Sequence, residues 1–170
     1  MTEILSVLVS IIFFVNKILI LIERKSGWLV GAIAAALALI YFILIELLIF
    51  TVLEFGLVIL MAYGFFFNNR KNLYIEKLIH LTIVCVMTVL ASLAFTGMMT
   101  IYEFVSAVLM LFGTYYLTHN KEALGWLLYG LAHLFAAYVT IEKNQQFFAD
   151  FQIASAIVSA IGFCLKIKEK

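Results

Sequence analysis

Phe50–Phe66 reads FTVLEFGLVILMAYGFF, and its one charged residue is Glu54. About 17 residues is the shortest apolar run that crosses a bilayer as a helix. A carboxylate within such a run is costly in lipid and has to turn inward, toward other protein groups. The rest of the chain has the same character: 66% of its residues are hydrophobic and only 12% are charged. A soluble domain has roughly 45–50% apolar and about 25% charged residues. The composition therefore predicts an integral membrane protein that lies almost wholly in the bilayer. A net charge of +1 with no basic stripe gives no sign of a nucleic-acid partner.

Working outward from this run, polar clusters divide the chain into seven apolar spans: about 4–22, 28–47, 49–67, 78–95, 101–117, 124–141 and 147–165. The weakest boundary is at Glu46, and the longest polar link runs from Asn68 to Lys77. Continuous runs of this kind favour helices, because a barrel strand alternates apolar and polar residues. The first span lacks a basic leader and a small-residue cleavage site, so it is expected to be retained. Cys85 and Cys164 lie in separate spans without metal-ligand spacing and are expected to pack as small apolar residues. Seven spans put the two ends on opposite sides. One side collects Arg24, Lys25, Arg70, Lys71, Lys77, Lys121, Lys166, Lys168 and Lys170, and the other collects Lys143. This bias predicts an outside N-terminus and a cytoplasmic C-terminus in a multi-pass protein.

Gly27-Trp28-Leu29 recurs as Gly125-Trp126-Leu127, an offset of 98. The same offset aligns Val7 with Val105, Phe14 with Phe112, Ala34 with Ala132, Ala38 with Ala136 and Gly64-Phe65 with Gly162-Phe163. It superimposes spans one to three on spans five to seven and leaves the fourth over. The expected fold is therefore all-α, with seven transmembrane helices forming two parallel three-helix repeats joined by a linker helix. The divisions are 1–71, 72–98 and 99–170. Parallel repeats of this kind build one class of transporters, with the solute held near mid-membrane between the halves.

The 3+1+3 plan resembles the SWEET-like architecture, and particular residues narrow it. Gly27-Trp28 opens the second span, Leu53-Glu54 and Tyr63-Gly64-Phe65 follow in the third, and Glu122 to Trp126 forms a charged turn ending in tryptophan. In these features the chain resembles the PnuC-type vitamin transporters, whose substrate is nicotinamide riboside. That family carries Leu-Gln where Leu53-Glu54 stands, Asn where Ala35 stands, and Asp or Asn where His133 stands. The resemblance implies a carrier of a small polar vitamin or nucleoside-like compound in the bacterial cytoplasmic (inner) membrane. It also implies that Trp28 and Trp126 stack on a heterocycle.

Polar and ionisable groups inside spans are functional candidates by default. The offset pairs Lys17 with Tyr115, Ala35 with His133 and Glu54 with Gln152. Glu54 reads either as a carboxylate that contacts solute or accepts protons, or as the ion-pair partner of Lys17. Lys17 is also close enough to the cytoplasmic side to snorkel. His133 can bind solute or titrate near neutral pH, or serve as a satisfied core histidine. Gln152 and Asn16 offer amides, and Asn16 can also join helices. Trp28 and Trp126 fit an interfacial aromatic belt as well as a binding face. Tyr63, with Tyr41, Tyr115, Tyr129 and Tyr138, adds hydroxyls. Glu46, Glu103, Lys143 and Asp150 are expected to be solvated near the outer interface.

No phosphate loop, nucleophile turn or zinc pair occurs. The expectation is a non-enzyme without a cofactor, whose partners are a small-molecule solute and the lipid bilayer; a homo-oligomer is left open. Transport by facilitated diffusion is the leading expectation, and proton coupling through Glu54 is a further hypothesis. A SWEET-like sugar carrier and a non-transporting membrane scaffold subunit are the alternatives.

Overall fold

The computed structural model describes residues 2–67 and 73–168. Arg70, Lys71 and Lys170, which carry part of the orientation argument, lie outside the described residues. Among the described residues the chain forms seven α-helices and no strand: α1 Thr2–Leu21, α2 Ser26–Leu44, α3 Leu48–Phe67, α4 Leu73–Phe95, α5 Ile101–Thr118, α6 Glu122–Glu142 and α7 Gln146–Lys168. Their lengths run from 18 residues in α5 to 23 in α4 and α7. At about 1.5 Å per residue they reach roughly 27–35 Å, enough to cross the hydrocarbon core. All seven are apolar enough to span a membrane. The chain is a multi-pass membrane protein. α4 begins five residues before the start read from the sequence, at Leu73 rather than Leu78. Glu76 falls in its first turn, where a carboxylate complements the helix dipole instead of breaking the helix.

The turns show how the chain passes from one span to the next without proline. Five helix ends close with the paired backbone bonds of a Schellman motif, and the residue after each cap has positive φ. After α2, Glu46 N–H donates to Ile43 O and Leu47 N–H to Phe42 O, with Glu46 at φ 58°. After α6, Asn144 N–H donates to Ile141 O and Gln145 N–H to Thr140 O, with Asn144 at φ 55°. These two turns match residue for residue at the offset of 98. Glu23 and Asn120 close α1 and α5 in the same way, one register step apart, and Gly97 closes α4.

The chain divides into two compact units, residues 1–100 and 101–170. In the first, α2 packs against both α1 and α3, and α4 packs on α3. In the second, α6 packs against both α5 and α7. The middle helix of each triplet is lined with small residues, which let neighbouring backbones come close. A side chain at Gly27 would meet Ile20 N at 2.9 Å, and one at Gly125 would meet Leu117 N at 2.9 Å. The buried positions of α2 are Gly27, Trp28, Gly31, Ala34, Ala35, Ala38, Tyr41 and Phe42. Ninety-eight residues later stand Gly125, Trp126, Tyr129, Ala132, His133, Ala136, Val139 and Thr140, and all are buried in α6. Two helices of different sequence therefore bury the same register.

Candidate functional site: buried polar groups in the two units

In the first unit the buried face of α1 carries Val9, Ser10, Phe13, Asn16 and Lys17. Their spacing of three and four residues places them along one side of a helix. Lys17 is 1% exposed and Glu54 on α3 is 6% exposed, and the two interact electrostatically. Lys17 does not snorkel to a surface. Its Nζ lies 6.0 Å from the centroid of the Phe13 ring, back toward the start of α1. That is the direction in which helical side chains lean. The two residues that the sequence offered as a pair are thus both buried in the same unit and influence one another electrostatically. Beside them, Asn16 Nδ2 donates to Gly27 O at 2.8 Å and ties α1 to α2. Three buried side-chain atoms here have no hydrogen-bond partner among the described residues: Ser10 Oγ, Asn16 Oδ1 and Glu54 Oε2.

In the second unit His133 on α6 bonds through Nδ1 to Oε1 of Gln152 on α7. An amide oxygen only accepts, so Nδ1 carries the proton in this contact. The His133 ring stands edge-on to Tyr129, with centroids 5.1 Å apart, and Tyr129 stands edge-on to Trp126 at 6.5 Å. Trp126, Tyr129 and His133 recur at spacings of three and four and form one column along α6. Trp126 closes the column against Gly162 of α7, where an added Cβ would lie 2.6 Å from the indole. On the opposite flank Ser106 Oγ donates to Ala132 O at 3.0 Å and joins α5 to α6.

The other sequence candidates, and the two tryptophans, have the following surroundings. Tyr115 is half-buried near the end of α5, with its ring 4.1 Å from His119. Tyr63 stacks on Phe67 at 6.0 Å. Trp28 and Trp126 are buried inside their units rather than set in an exposed belt. For Trp126 the position follows from Gly162, whose missing Cβ leaves the space that the indole fills. Trp126 also lines an apolar groove of about 370 Å³ with Gly130, Leu134, Ile157, Ala160 and Phe163. Ser159 is the one polar side chain in that lining, so the groove offers little to a polar solute.

Two other expectations change. Glu103 is not solvated. It is buried at the start of α5 and forms an ion pair with Lys143, the residue that caps α6. The lone lysine on its side of the chain was the available signal, and the contact joins two helix ends forty residues apart in sequence. Glu46 and Asp150 are exposed, as read. Cys85 and Cys164 are exposed rather than packed, because the buried stripes of α4 and α7 pass beside them. Among the described residues no group of three or more His, Cys, Asp or Glu side chains could hold a metal ion.

Comparison of the chain with protein-family models, with curated proteins and with solved structures finds no match.

Proposed function

We propose that this chain is a transporter that moves a small polar vitamin or nucleoside-like compound, of the nicotinamide riboside kind, across the bacterial cytoplasmic membrane by facilitated diffusion. In this reading it is a PnuC-like carrier rather than an enzyme, with its N-terminus outside and two three-helix repeats. One observation carries the reading. Each unit places hydrogen-bonding side chains inside helices that are otherwise apolar: Asn16, Lys17 and Glu54, all buried, in one, and buried His133 bonded to half-buried Gln152 in the other. Such groups are costly in a bilayer and are functional candidates by default, as markers of solute or ion paths. The shared register of α2 and α6 supports a duplicated carrier. The sequence offset of 98 pairs Glu54 with Gln152, one acid and one amide.

The test is uptake by the purified chain in liposomes, with labelled nicotinamide riboside, pyridoxine, uridine and glucose. The expected result is saturable uptake of at least one vitamin or nucleoside, lowered at least tenfold by Gln152→Ala. An imposed pH gradient should leave its final accumulation ratio unchanged. Uptake of every compound at the rate of empty liposomes would overturn the proposal. Saturable uptake of glucose alone would replace the vitamin carrier with a sugar carrier.

A further inference from the structure

The unpartnered oxygens of the first unit bear on what the solute presents to it. Asn16 is fully buried, and its Nδ2 is committed to Gly27 O. That bond fixes the amide plane and accounts for the helix-joining role of the residue, yet it leaves Oδ1 buried and unmatched. Gly31 makes room for this amide: a Cβ there would fall 2.5 Å from Nδ2 and 2.8 Å from Met61 Sδ on α3. Ser10 lies on the same face of α1, roughly 9 Å nearer the helix start at about 1.5 Å per residue, and its Oγ is also unmatched. Buried polar atoms without partners are rare, and each unmatched one costs about 1–3 kcal/mol. A fold that keeps a side-chain amide oxygen, a hydroxyl and a carboxylate oxygen in this state holds acceptors ready for a donor.

We infer that Asn16, Ser10 and Glu54 form a hydrogen-bond-accepting wall that binds the solute through a neutral donor, a hydroxyl or an amide N–H. The inference rests on the transporter reading and adds the chemistry of the group that is bound. Neutrality follows from the charges already present. Lys17 and Glu54 bring one positive and one negative charge into the unit, so an ammonium seated against this wall would leave a net charge buried there; the condition applies to the group that meets the wall and not to a charge elsewhere on the solute, such as the pyridinium ring of nicotinamide riboside. A hydroxyl or amide fills the acceptors at no such cost.

Matched solutes test this on the full chain in detergent, read by thermal stabilisation and by Kd. The pairs are uridine with 2′-deoxyuridine, and pyridoxine with pyridoxamine. The hydroxyl-bearing, uncharged member of each pair should bind more tightly. Asn16→Ala should weaken that member about fivefold to tenfold, the equivalent of one lost hydrogen bond. It should leave the other member nearly unchanged, so that the gap within the pair closes. Where Asn16→Ala does not purify as a folded protein, Ser10→Ala carries the same test, because its hydroxyl can be removed with little change in volume. Equal weakening of both members, an unchanged gap, or preference for the ammonium-bearing member overturns the inference and leaves the transporter reading standing. Absence of binding by all four compounds, together with absence of uptake, overturns both.

Discussion

The charges of Lys17 and Glu54 give the sharpest test of the first unit. Both side chains are almost wholly buried, and each lies on a helix that spans the membrane. Lys17→Met would leave Glu54 as a buried carboxylate whose Oε2 already lacks a hydrogen bond. Glu54→Gln would leave a buried ammonium facing an aromatic ring. Breaking a buried pair by removing one partner costs about 3–5 kcal/mol, and a single charge at mid-bilayer costs about 3 kcal/mol on insertion scales. Independent losses would sum to about 6–10 kcal/mol in the double variant. Replacing both charges with groups of similar volume is often close to neutral. The double variant should therefore be more stable than either single one, with a coupling of about 4 kcal/mol or more. The measurement is a double-mutant cycle on reversible unfolding in mixed micelles, followed by helical circular dichroism. Additivity within about 0.5 kcal/mol would show that the two charges act independently, and the argument for a paired site in the first unit would fail. Uptake by the double variant separates stability from transport. If Glu54 serves the solute as well as Lys17, the restored fold will still transport poorly.

Two further substitutions probe the packing around these clusters. Gly162→Ala places a Cβ 2.6 Å from Cδ2 and 2.8 Å from Cε2 of Trp126, so the indole has to shift. We expect a loss of about 1–3 kcal/mol and an altered tryptophan emission spectrum, and unchanged emission and stability would refute this packing. Glu46→Gly relieves a non-glycine residue held at φ 58° in an exposed turn. The left-handed conformation costs an ordinary residue about 1–2 kcal/mol, and glycine's extra chain entropy offsets part of the gain. A net stabilisation of about 0.5–1 kcal/mol should raise the melting temperature, and a lowered one would count against the turn geometry.

Fold class was legible because bilayer solvation acts on every residue of a span at once. No single side chain decides it, and the seven helices follow the seven apolar runs. Boundaries were less legible where one polar residue marks a turn. Glu46 was a weak signal because glutamate is an unfavoured occupant of a left-handed cap. The backbone bonds of the turn, and not its side chain, close α2. The start of α4 was misplaced for the opposite reason. Glu76 and Lys77 look like a loop by polarity, but helix backbone bonds continue through them.

The site was legible in pairs and not in contacts. Residue type alone singled out Lys17 and Glu54, since each is the sole charge within an apolar run, and the fold brings them into one unit. His133 and Gln152 were matched to different positions of the first triplet, yet in the second they bond directly to each other. An offset relates each residue to its counterpart in the other triplet, but it carries no information about neighbours across a helix pair. The burial of Trp126 was hidden by the same limitation. Position at a helix start suggests an interfacial belt, whereas the deciding fact is the missing Cβ of Gly162, far along the chain on another helix. The small residues of the middle helices are thus what turn two apolar triplets into containers for polar groups. Where Gly31 admits an amide, the first unit keeps open acceptors. At the equivalent position Tyr129 fills the space and lends its ring to His133. One shared register therefore yields an acceptor-rich wall in one unit and an aromatic column with an imidazole–amide pair in the other.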